Sequence, residues 1–189
     1  GGGPGAAVQI TCYEHAVATY AISEAYGLTS IPFLKTAMER AVQIILEGQN
    51  DSGSWDYGYE RGPKAHVDVS LAGWHIQALK AAHAARAENK GLEAALENAM
   101  RGLQLMVEKE KLGAFRYSTL TMEGPTMPMT GVAVLCMQLT LHGSEPNAKA
   151  GFNQGYDLYA AETDAALDRV KHLGKFLERT FVSPENPAV

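Results

Sequence analysis

The residues whose types could do chemistry gather at a few points in this chain of 189 residues. His15 opens one apolar stretch. His66 stands two residues before Asp68, and Asp68 opens another. Two imidazoles and a carboxylate at one mouth would bind a metal or move protons, but only the fold can bring them together. The plainer roles are an N-cap for Asp68, favoured by the helix dipole, and structural hydrogen bonds for both histidines. Tyr57 and Tyr59 alternate with Trp55 in a loop, and Arg116 and Tyr117 fall at the corresponding place of a later loop. Such aromatics line a cavity for an apolar or carbohydrate ligand, or form a packed rim. His15, Tyr57, Tyr59, His66, Asp68, Arg116 and Tyr117 are therefore the candidate cavity-lining residues. No catalytic residue, metal ligand set or cofactor is assigned.

The elements that must position them are helical. Strand-like alternation is nearly absent. A first helix runs from about Tyr13 to Tyr26 and stops at Gly27, a good C-cap residue. A second begins after Ser30 with Pro32 in its first turn. Its Leu34, Ala37, Met38, Ala41, Ile44 and Ile45 recur at amphipathic spacing. A third, from Asp68 to about Arg86, is apolar on most sides, which places it inside. The fourth, about Leu92 to Glu108, is amphipathic. The fifth, Met129 to Leu141, is apolar throughout. After a polar insertion from Gly143 to Gly155, the sixth, about Ala160 to Phe181, is amphipathic again.

Buried helix, amphipathic helix and loop thus recur every 50–60 residues or so, an internal repeat. Arg40-Ala41 corresponds to Arg101-Gly102, Trp74 to Leu135, and Glu24, Gln77 and Gln138 to one another. Short connections make each pair antiparallel. The expected fold is all-α: a partial α/α toroid of about three antiparallel helix pairs in inner and outer layers. It spans residues 11–182, with 1–10 as a linker or cloning remnant and 183–189 as a tail.

One segment carries a family resemblance. Between Arg40 and Trp55, the residues Arg40, Ala41, Ile45, Gln49, Gly53 and Trp55 match the QW motif of squalene-hopene and oxidosqualene cyclases. Ile44 replaces its usual aromatic. A glutamine amide can satisfy orphan groups at a helix end, and an indole can stack on that amide. A weaker second copy follows Arg101-Gly102, with Glu110, Gly113 and Phe115. A third, near Lys171 to Phe181, is barely recognisable. Together with His15-Ala16-Val17-Ala18-Thr19-Tyr20, Asp68-Val69-Ser70-Leu71-Ala72-Gly73-Trp74 and Met129-Thr130-Gly131-Val132, these residues make about 12–142 resemble bacterial proteins described as prenyltransferase/squalene oxidase repeat-containing. They belong to the terpenoid cyclase and protein prenyltransferase superfamily. The resemblance implies the toroid and makes Arg40, Gln49, Gly53, Trp55 and Trp74 structural.

The chemistry of those relatives is not carried over. The DxDD acid of the hopene cyclases is absent, and so is the DDxxD diphosphate motif. Asp68 matches the zinc-binding Asp of the prenyltransferase β subunits, but Ser70 stands at the Cys position. The implied function is a non-catalytic binding or interaction module. The alternative is an enzyme acting on an isoprenoid, lipid or polysaccharide through His15, His66 and Asp68.

The composition, 46% hydrophobic and 20% charged with net charge −5, suits a globular core and contains no basic stripe for nucleic acid. No 18-residue apolar run spans a membrane. Cys12 and Cys136 lie in apolar contexts and read as buried thiols. Three pairs leave apolar edges open, so the expected partner is the remainder of a larger chain or a second copy.

Overall fold

The computed structural model describes residues 12–62, 65–108, 113–121 and 124–140, with isolated positions 146, 149–151, 168 and 171 beyond them. The described residues are all-helical, with two isolated β-bridges and no strand. The expected linker, Glu110, the polar insertion apart from its few isolated positions, most of the sixth helix with the third motif copy, and the tail lie outside the described residues.

Five helices follow in order: α1 (Cys12–Thr29), α2 (Pro32–Gly48), α3 (Val69–Ala84), α4 (Leu92–Gln104) and α5 (Met127–Leu139). Helix α1 does not stop at Gly27. It continues to Thr29, and Ser30 takes the left-handed position that ends it (φ 53°). A glycine inside a helix is tolerated where the helix is otherwise held, and α1 is held by its packing on α3 and α2. Helix α2 begins at Pro32, whose missing N–H costs nothing there. Asp68 caps α3, its Oδ1 accepting from Ser70 N and Leu71 N. Thr126 caps α5 through Met129 N.

Helix α3 is the hub. It touches α1, α2, α4 and α5, while α1 also packs on α2. The core lies between these elements: Met38, Val42 and Ile45 of α2, Ile76 and Leu79 of α3, Leu103 of α4 and Met137 of α5. Each such side chain contributes about 1.5–3 kcal/mol on leaving water. Ile44, expected on the packed face of α2, is half exposed instead.

Two loops are built alike and make the chain helical-repeat-like. After α2 the backbone turns at Gly53 (φ 86°), and Trp55 is buried two residues on. After α4 it turns at Gly113 (φ 78°), and Phe115 is buried two residues on. Any Cβ at Gly53 would overlap the Asn98 carbonyl of α4, and one at Gly113 would overlap Ala150 and Gly151. Left-handed φ and close backbone approach both call for glycine at these two turns.

Candidate functional site

The hub helix is buried from Val69 to Ala82 except at Ser70, Trp74, Gln77 and Lys80. The first three, spaced four and then three, form one stripe. Helices α1 and α5 expose stripes with the same spacing: Val17, Ala21 and Glu24 on α1, and Gly131, Leu135 and Gln138 on α5. The positions that correspond in the sequence repeat thus fall on accessible faces rather than in the core. Gln77 donates to Gly73 O of its own helix (3.1 Å).

Trp74, read from sequence as a structural residue inside the fold, is only half-buried. Its Nε1–H donates to Tyr13 Oη at 2.9 Å. Tyr13 and Tyr20 both meet the indole edge-on, with centroids 6.4 Å away. The indole is thus held by α1 and partly buried, with Ser70 one turn before it and Gln77 one turn after.

At the start of α3 sits a hydroxyl cluster. The buried Asp68 carboxylate accepts from Ser70 Oγ (2.6 Å) and Tyr57 Oη (3.2 Å), besides its two capping amides. Tyr117 Oη stands 3.4 Å from Tyr57 Oη and 3.3 Å from Ser70 Oγ. The hydrogens of Ser70 and Tyr57 are directed to Asp68, so the Tyr117 hydrogen remains for one of those oxygens or for a ligand. The bond to Tyr117, then burial and the Asp68 charge, push the Tyr57 phenol above its ordinary range.

The imidazoles are occupied differently. His66 is buried, with Nδ1 2.6 Å from Asp56 Oδ2 and its ring stacked against Tyr57 at 5.7 Å. His15 Nε2 donates to Ala41 O at 2.9 Å, and its ring meets Tyr59 edge-on. His75 is fully buried. Its Nδ1 faces Leu71 O (2.7 Å), an acceptor only, so Nδ1 carries the hydrogen and Nε2 accepts from Tyr59 Oη (3.2 Å). Burial holds His75 neutral and lowers its pKa to about 3. Burial likewise pushes the Tyr59 phenol up.

Of the seven candidate lining residues, Tyr57, Asp68 and Tyr117 come together, joined by Ser70. His66 adjoins them through the Tyr57 ring. His15 and Tyr59 meet each other, and Arg116 faces Glu108 at 3.8 Å. His15, His66 and Asp68 do not form a metal cage: among the described residues no group of three His, Cys, Asp or Glu side chains is placed to hold an ion.

The segment between Gln49 and Trp55 is closed by side-chain bonds to backbone carbonyls. Gln49 Nε2 donates to Gly53 O (3.0 Å) and to Ala95 O of α4 (2.8 Å). Trp55 Nε1 donates to Ile45 O (2.8 Å), one of the last carbonyls of α2. The indole stacks on His75, with centroids 4.6 Å and planes 13° apart. So the indole satisfies the helix end and the amide ties the loop to α4. Arg40 lies exposed on α2. Sequence reasoning missed Asn50, whose Oδ1 accepts from Ser52 N and Ser54 N while its Nδ2 holds His66 O. Its Asx-turn spacing ahead of Ser52 was the one local clue. Asp56, Tyr13 and Tyr20 were also missed, and nothing local marks them.

A separate open cleft of about 540 Å³ lies between the end of α2 and α4, with Glu47, Asp51, Arg61, Lys90 and Arg101 on its walls. Its charges are mixed, and it is lined by none of the candidate residues. No helix among the described residues is long and apolar enough to cross a membrane. No family model, curated protein or solved structure matches this chain.

Proposed function

We propose that this chain is a non-catalytic binding module built on a cyclase-like α/α-toroid scaffold, with α1, α3 and α5 as its inner row. The observation that carries this reading is the shared stripe on those three helices, where Trp74 stands partly buried between hydroxyl and amide groups. The acid and imidazole groups support it from the other side. Asp68 is engaged by four donors, His75 is neutral and bonded through both nitrogens, and His15 bonds a backbone carbonyl. A general acid or base needs a mobile proton within reach of substrate, and these groups are committed to the fold.

One observation favours the alternative, an enzyme acting on an isoprenoid, lipid or polysaccharide. The Asp56–His66 pair orients an imidazole beside the Tyr57 hydroxyl cluster, the arrangement by which a carboxylate steadies a general base. The partner part of the proposal rests on exposed apolar groups near the α1–α2 turn, Leu28 at 84% and Phe33 at 70% exposure. A second copy or further chain would cover them, and light scattering showing a compact monomer would count against that.

Catalysis is tested by incubating the protein with farnesyl diphosphate, squalene and oligosaccharides, followed by chromatography. The expected result is unchanged substrates. Product formation abolished by His66→Gln would replace the binding reading with the enzymatic one.

A further inference from the structure

We infer that the Trp74 face is a platform for a saccharide, an assignment that rests on the binding-module reading and names its ligand class. A ligand seated there meets the Trp74 ring with Ser70 and Gln77 a turn to either side, and with Ala21 and Leu135 exposed on the flanking helices. The indole is fixed by Tyr13 Oη at Nε1 and by the T-shaped contacts of Tyr13 and Tyr20, and the residue remains partly accessible. Along α3, Ser70 and Gln77 lie about 6 Å and 4.5 Å from Trp74 at 1.5 Å per residue. The Gln77 amide is held by its bond to Gly73 O, which uses the N–H and leaves the side-chain carbonyl as an acceptor. Tyr117 Oη adds a hydroxyl beside Ser70. Glu24 and Gln138 continue the polar row on the neighbouring helices.

A sugar ring matches this pattern. It offers an apolar C–H face to an indole and hydroxyls around its rim that both donate and accept. An isoprenoid offers no hydrogen-bonding partner. Seated here it would desolvate Ser70, Gln77 and Tyr117 without replacing their water, a penalty that selects against it. A polyanion is disfavoured by Glu24 and by the net charge of −5.

The test uses the full chain labelled with nitrogen-15. Its two tryptophans give two indole N–H resonances, and Trp74 is assigned by the loss of its resonance in Trp74→Phe. Cellohexaose, chitohexaose, maltohexaose and xylohexaose are titrated separately, with farnesol as the apolar probe. The expected result is a saturable shift of the Trp74 resonance with at least one hexasaccharide, while the buried Trp55 resonance stays in place. Gln77→Leu keeps the helix and the indole, and is expected to weaken that binding by about tenfold, the effect of about 1.4 kcal/mol. A Trp74 response to farnesol and to no hexasaccharide overturns the assignment while leaving the binding-module reading intact. No Trp74 response to any probe overturns it as well. A hexasaccharide that binds at Trp74 and is shortened during the titration upholds the platform and defeats the non-catalytic reading.

Discussion

Trp55→Phe is expected to destabilise the fold far more than Trp74→Phe, although both remove one indole. Trp55 is fully buried, and its Nε1–H satisfies Ile45 O at the end of α2. The helix leaves that carbonyl to the indole, because Gln49 N turns to Leu46 O instead. Phenylalanine leaves the carbonyl buried without the indole donor, which costs about 1–3 kcal/mol. The smaller ring also leaves a gap against His75 and the core, worth about 1 kcal/mol. The sum is about 3 kcal/mol, or a fall in Tm of about 6–12 °C for a domain of this size. Trp74 is only partly buried, and the Tyr13 hydroxyl that loses its bond there can turn to water, so Trp74→Phe should cost about 1 kcal/mol or less. Urea unfolding followed by far-ultraviolet circular dichroism reads both variants without depending on the tryptophan emission. A Trp55→Phe cost at or below that of Trp74→Phe would refute the argument that the indole closes the helix end.

Three further outcomes are expected. Asp68→Ala should lower stability by about 1–2 kcal/mol through loss of the α3 cap, while Asp68→Asn should retain most of it; equal losses in thermal unfolding would refute the capping role. His75 stays neutral in the fold, with its pKa lowered from 6.5 to about 3. The unfolded chain therefore binds the extra proton, and stability should fall as pH drops below 6.5, by up to about 1.4 kcal/mol per pH unit. His75→Gln should remove that component, and denaturation midpoints that keep the same slope between pH 6.5 and 4.5 would contradict it. Burial pushes both Cys12 and Cys136 up to about 12, so neither thiol should react with iodoacetamide at pH 8 until urea unfolds the chain, as mass spectrometry would show.

Amino-acid order alone marked the five described helices, because each is long enough for its apolar period, cap or proline to be legible over several turns. It marked Pro32 as a start and Asp68 as a cap, since these depend on backbone sterics within a few residues. It also aligned Glu24, Gln77 and Gln138, and Trp74 with Leu135. What it left undecided was which way those aligned positions face. An apolar helix such as α3 gives no periodic contrast by which to choose a side, so Trp74 read as interior. Only the packing of α1, α2, α4 and α5 around α3 left the Ser70, Trp74 and Gln77 stripe accessible. Partner choice was tertiary too. Trp55 stacks on His75, which arrives from α3, twenty residues on, and offers a flat ring that sequence spacing cannot announce. Asp56 with His66, and Tyr13 with Trp74, are pairings across loops and helices, and only the folded chain brings such distant groups within a hydrogen bond of each other.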